Sequence, residues 1–106
     1  MNYGDYYAFK EIKENPIILD FSKCKHIGEI HSILKEKFGF PEYYGENWSA
    51  LWDCLDGLFA DDGDVKVEIY GFGNLKADLR EYCNAMLEIF DDVHKKTPNV
   101  VFELKS

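Results

Sequence analysis

Val65-Lys66-Val67-Glu68-Ile69-Tyr70-Gly71-Phe72-Gly73-Asn74 is the stretch from which the fold can be worked out. Val65, Val67 and Ile69 alternate with Lys66 and Glu68, the period-two pattern of a half-buried strand. Gly71-Phe72-Gly73 then turns the chain, and Asn74 is a good N-cap for a helix. From Leu75 to Lys96 the spacing changes to threes and fours: Leu75, Leu79, Tyr82, Cys83, Met86, Ile89, Phe90 and Val93 share one face. Lys95 and Lys96 suit the C-terminal end of that helix, and Pro98 lies just beyond it. Val100-Val101-Phe102-Glu103-Leu104 reads as a second strand, so strand, helix and strand form a crossover unit that joins parallel strands.

Toward the N-terminus, Pro16 opens the apolar run Ile17-Ile18-Leu19, a buried strand ending near Asp20. After the polar turn Ser22-Lys23-Cys24-Lys25, the residues Ile27, Ile30, Ile33, Leu34 and Phe38 predict a helix, stopped by Gly39 and Pro41. Trp48, Leu51, Trp52, Leu55, Leu58 and Phe59 predict another, from near Glu46 to about Phe59, ended by the acidic loop from Ala60 to Asp64. The expected fold is α/β: a small domain over residues 16–106 with a three-stranded parallel sheet, right-handed crossovers and three main helices. Residues 1–15, polar and aromatic without periodicity, read as an N-terminal extension.

The chain has 106 residues, 46% of them hydrophobic, enough for one domain with one core. Twenty acidic against 12 basic residues give a net charge of -8, which opposes direct binding to nucleic acid or anionic membrane and makes a basic partner the natural complement. Solubility alone also accounts for such acidity. Cys24, Cys54 and Cys83 form neither a paired framework nor a C-x-x-C motif; Cys54 and Cys83 fall at core positions. The N-terminus lacks the basic start and apolar run of a signal peptide, and no stretch approaches the ~20 apolar residues of a membrane span, so a cytoplasmic protein is expected.

The catalytic inventory is thin, with no G-x-S-x-G, H-E-x-x-H or P-loop motif. His26, His31 and His94 lie on different helices or their ends, and no shared metal site is expected from them. Gly71-x-Gly73 has the context of a dinucleotide loop, but Lys76 stands where the third glycine belongs, and a simple turn is the better reading. Asp53 and Asp56 have no metal partner in the pattern that would make them a catalytic pair. No cofactor is expected, and the chain reads as a binding protein rather than an enzyme.

What stands out is the run from Pro41 to Gly57, an aromatic loop (Tyr43, Tyr44, Gly45) feeding an acidic helix. With Glu46 at zero and ~100° per residue, Ser49, Asp53 and Asp56 fall near about 300°, 340° and 280°, opposite Leu51, Leu55 and Leu58 at about 120–180°. Trp52 falls between the two faces, where a half-buried ring can serve the core or a partner. Gly45 would permit a tight turn or close approach by another protein's backbone, and Tyr43 and Tyr44 are expected as two exposed rings beside carboxylates.

Pro41-Glu42-Tyr43-Tyr44-Gly45-Glu46-Asn47 and Ala50-Leu51-Trp52-Asp53-Cys54-Leu55 closely resemble the barstar-type ribonuclease inhibitor family, and a weaker similarity extends from about Ile17 to Leu104. The resemblance implies an α/β fold with three parallel strands and occlusion of a ribonuclease active site rather than catalysis. It implies that Asp53 enters the enzyme's phosphate-binding site, that Tyr43, Gly45, Asn47 and Trp52 supply the contact loop and helix start, and that Asp92 adds a peripheral ion pair. The implied partner is a basic, extracellular-type ribonuclease, bound quickly and salt-sensitively; barnase and barstar are themselves the standard example of such steering.

Two departures from the family pattern stand out. Ser49 replaces an interface aspartate and Leu58 replaces a tryptophan; Asp56 is a candidate to restore the charge missing at Ser49. Ser49 also keeps open a second reading, a barstar-like module for a different basic nuclease or a non-nuclease partner.

Overall fold

A computed structural model describes residues 7–105. Their element order is β1 (Ile17–Asp20), α1 (Ile27–Phe38), α2 (Trp48–Leu55), β2 (Val65–Tyr70), a single 3-10 turn (Phe72–Asn74), α3 (Ala77–Lys96) and β3 (Val100–Leu104). The three strands form one parallel sheet in the order β1-β2-β3, as expected. Ile17 and Leu19 stand opposite Val67 and Ile69, while Val65 and Ile69 of the central strand stand opposite Val100 and Leu104.

The alternation read in β2 decides how the layers stack. Val67 and Ile69 are buried with Ile17, Leu19 and Val100, and this face meets Leu34, Phe38, Leu51, Leu55, Met86 and Phe90 in one core. Phe102 stacks flat on Phe90 with ring centroids 4.3 Å apart, sealing β3 to α3. The opposite face carries charge: Glu103 lies 2.9 Å from Lys66 and 2.8 Å from Lys105, and Glu68 accepts from the Tyr70 hydroxyl at 2.9 Å. Hydrogen bonds from Lys105 and Lys66 pull the Glu103 carboxyl down to about 2. A parallel sheet usually needs cover on both faces; here a lattice of paired charges lets one face meet water.

Helix boundaries differ from the periodicity in three places. α1 ends as expected, with Gly39 left-handed at φ 65° and its N–H on the Glu36 carbonyl, but Ile27, assigned to the apolar face, is 46% exposed. α2 is shorter at both ends: Glu46 is left-handed (φ 51°) and outside it, Asn47 is the N-cap, and Asp56 is already extended. Gly57 at φ 75° turns the chain away, yet Phe59 still reaches the core in a loop held by the Asn99 side chain, which donates to the carbonyls of Phe59, Asp62 and Gly63.

α3 starts at Ala77 rather than Leu75, because Gly71-Phe72-Gly73-Asn74 closes a tight turn in which the Asn74 N–H bonds the Gly71 carbonyl; Asn74 is therefore not the N-cap, and Lys76 precedes the helix. Gly71 is left-handed at φ 76°, and a Cβ there would land on the Ser22 backbone, so the close passage of the segment after β1 explains this glycine without a nucleotide. At the other end of α3, His94 Nδ1–H donates to the Val100 carbonyl at 2.7 Å, tying the helix end to β3. Cys54 and Cys83 are buried free thiols, as read from their spacing, and burial pushes Cys83 up to about 11.

Candidate partner-binding surface

The loop from Pro41 to Asn47 and the exposed side of α2 make one continuous surface, and the residues beneath it explain its shape. The two adjacent tyrosines separate: Tyr43 is 44% exposed, whereas Tyr44 is buried, contrary to the expectation of two exposed rings. Tyr44 turns inward because its hydroxyl lies 2.7 Å from His31 Nδ1. The other ring nitrogen, Nε2, lies 2.9 Å from the Tyr82 hydroxyl, so a fully buried histidine on α1 ties the loop to α3. Trp48, the first residue of α2, packs against both His31 and Tyr82 with ring centroids 4.7 Å apart in each case.

A neutral imidazole donates from one nitrogen and accepts at the other, so one tyrosine hydroxyl accepts from His31 and the other donates to it. Burial holds the His31 pKa below its ordinary value, opposed by the nearby Glu46 carboxylate. The place of His31 between Ile30 and Leu34, on the face that also carries Phe38, is the sequence signal that puts it inside.

Asn47 organises the helix start. Its Oδ1 accepts the Ala50 N–H at 2.8 Å and its Nδ2 donates to the Gly45 carbonyl at 3.1 Å, so one side chain caps α2 and fixes the loop. The left-handed residue here is Glu46 rather than Gly45; a Cβ at Gly45 would sit 3.2 Å from Asn47 Nδ2 and press on this cap. Ser49 is exposed on the first turn of α2.

Asp53 and Asp56 part company. Asp53 is exposed on α2 and, among the described residues, has no ion-pair or hydrogen-bond partner. Asp56, placed on the same helix face by the ~100° rule, is instead the C-cap, and its carboxylate lies 2.7 Å from Lys96 Nζ. Lys96 also lies over the half-buried Trp52 ring, 5.8 Å from its centroid. Beyond suiting the C-terminal end of its own helix, this lysine holds the end of α3 against the end of α2. Asp92 is exposed four residues before Lys96, on the same side of α3.

Glu42, at the other end, is bound by Lys35 at 3.0 Å and Lys10 at 3.2 Å, whose hydrogen bonds lower its pKa. Asp53 is thus an uncommitted carboxylate that falls, along the chain, between the neutralised Glu42 and Asp56, directly after Trp52. No group of three or more His, Cys, Asp or Glu residues suited to a metal occurs among the described residues, and none of their helices is long and apolar enough to cross a membrane.

This arrangement can be set beside known proteins. The family model described as "Barstar (barnase inhibitor)" matches residues 15–105. The chain belongs to the barstar family. A relative in Bacillus subtilis (strain 168), named "Putative ribonuclease inhibitor YrdF", is 34% identical over 80 residues, covering 76% of this chain and 86% of the relative. Barstar-family membership accords with the three-stranded parallel sheet and three helices described above, and the barstar match takes in the whole surface from Pro41 to Asp92. The residues before Asn15 lie outside the barstar match.

Proposed function

We propose that this barstar-family protein inhibits a basic ribonuclease of the barnase type from the cytoplasm, by seating Asp53 in the enzyme's phosphate-binding site. The carboxylate offers the charge and acceptor geometry of an RNA phosphate to arginine and histidine side chains. The observation that carries the reading is the state of Asp53: exposed, on a capped helix and without a partner among the described residues. Binding breaks no existing ion pair at Asp53, whereas Asp56 must first release Lys96. Tyr43, Gly45, Asn47, Ser49 and Trp52 supply the surrounding contact, and Asp56 and Asp92 act at its periphery. The protein occludes and does not catalyse, and its net charge of -8 speaks against direct nucleic-acid binding.

RNA cleavage by barnase, titrated with this protein at two salt concentrations, tests the reading. Stoichiometric inhibition is expected, weaker at high salt, with Asp53→Ala losing at least about 30-fold in affinity, the effect of a hot-spot residue worth ~2 kcal/mol. Asp56→Ala should lose less. Inhibition unchanged by Asp53→Ala would refute the mechanism. Ser49, a neutral hydroxyl on the first turn of α2, favours one second reading, in which the same surface serves a different basic partner; binding to such a protein without inhibition of barnase would select it.

A further inference from the structure

We propose that the N-terminal strap, residues 7–10, is part of the partner-binding surface, with Tyr7 and Tyr43 forming a paired aromatic platform for the basic face of the ribonuclease; this rests on the function proposed above.

Three anchors fix the strap beside the contact loop. The Lys10 N–H donates to the Gly39 carbonyl at 2.8 Å, and a Cβ at Gly39 would strike the Lys10 carbonyl, so the glycine that ends α1 also lets the strap lie close. Phe9 meets the buried Phe40 edge-on at 6.3 Å. Lys10 Nζ reaches Glu42 at 3.2 Å. These anchors leave Tyr7 against Tyr43, ring centroids 5.8 Å apart, with Tyr7 59% and Tyr43 44% exposed.

The occupant follows from continuity and charge. Tyr43 opens the loop that leads to Asn47 and α2, so whatever covers Asp53 and Tyr43 also reaches Tyr7. Exposed aromatic faces attract guanidinium and ammonium groups, which a basic enzyme supplies in number. Tyr7, the more exposed ring of the pair, is the strap residue that this surface offers to the partner. Because the strap precedes the segment matched by the family model, it adds to that segment's surface rather than repeating it.

The test is surface-immobilised binding of barnase to the full-length protein and its Tyr7→Ala, Tyr7→Phe and Asp53→Ala variants, with thermal unfolding of each. Tyr7→Ala should weaken binding by about 5- to 30-fold, mostly through faster dissociation, at an unchanged unfolding midpoint, while Tyr7→Phe retains the wild-type rate. Wild-type dissociation from Tyr7→Ala, alongside a weakened Asp53→Ala, would overturn the strap's role and leave the inhibitor reading standing. A lowered unfolding midpoint with an unchanged dissociation rate would make Tyr7 a structural residue and overturn it too. Absence of binding by the wild type removes both readings.

Discussion

Replacing Tyr44 by phenylalanine should cost far more than the loss of one oxygen suggests. Its hydroxyl is the partner of His31 Nδ1 at 2.7 Å, and His31 has no solvent exposure, so the variant strands a polar nitrogen in the core. An unsatisfied buried group of this kind costs ~1–3 kcal/mol, which in a domain of about this size lowers the unfolding midpoint by roughly 4–8 °C per kcal/mol. Tyr82→Phe should cost less, because Tyr82 is half-buried and water can reach the place its hydroxyl leaves.

The same histidine makes stability fall in mild acid. Burial depresses its pKa below the ordinary 6.5, so the unfolded chain takes up the proton first. The stabilisation is therefore complete above about pH 6.5 and declines as pH falls from there toward the depressed native pKa. Glu14, Glu42 and Glu103, whose pKa values are also lowered, enter only below their ordinary 4.5, which separates their effect from that of His31. Urea unfolding between pH 8 and pH 5 of wild type, Tyr44→Phe and His31→Gln measures both effects. His31→Gln should flatten the decline between about pH 6.5 and 5. A wild-type midpoint in Tyr44→Phe, or an undiminished acid decline in His31→Gln, would refute the reasoning.

Two further predictions concern single positions. Gly57 and Gly71 have nearly equal φ values, 75° and 76°, but a Cβ at Gly57 meets nothing within 4 Å while one at Gly71 lands on the Ser22 backbone. Gly57→Ala should cost ~1–2 kcal/mol from the left-handed backbone alone, and Gly71→Ala should exceed it by at least about 1 kcal/mol; equal denaturant midpoints would remove the close-approach explanation. Asn47→Ala should lower stability by ~1 kcal/mol through loss of the α2 cap and also speed dissociation from a ribonuclease as the loop at Gly45 loosens, which stopped-flow binding would show.

The sheet was legible in the sequence because Val65, Val67 and Ile69 carry their alternation with little competition, and because Gly39 is a stop that backbone geometry demands. The end of α2 and the start of α3 were not, and for one reason: apolar periodicity reports burial, not hydrogen bonding. Leu75 and Phe59 are buried as the pattern requires, yet Leu75 is extended after the 3-10 turn and Phe59 lies in the loop organised by Asn99. Each kept its place in the core while leaving the helix.

The candidate surface shows the same limit in a sharper form, since composition places carboxylates on a face without saying which are already neutralised. Asp53 and Asp56 lie three residues apart, as neighbours on an unbroken helix would; the end of α2 at Leu55 and the arrival of Lys96 from α3 make one available and the other committed. Tyr43 and Tyr44 are identical in type and adjacent in sequence, and only the distant His31 decides which turns inward. In both pairs a residue far along the chain selects the member presented to a partner. Lys96 and His31 therefore belong with Asp53 and Tyr43 in any account of specificity. Lys96→Met makes the point testable: it frees Asp56 and raises the negative charge at the end of α2 by one unit. Association with a basic enzyme at low salt should then quicken rather than slow, and a slower association would show that Lys96 supports the surface in some way other than by neutralising Asp56.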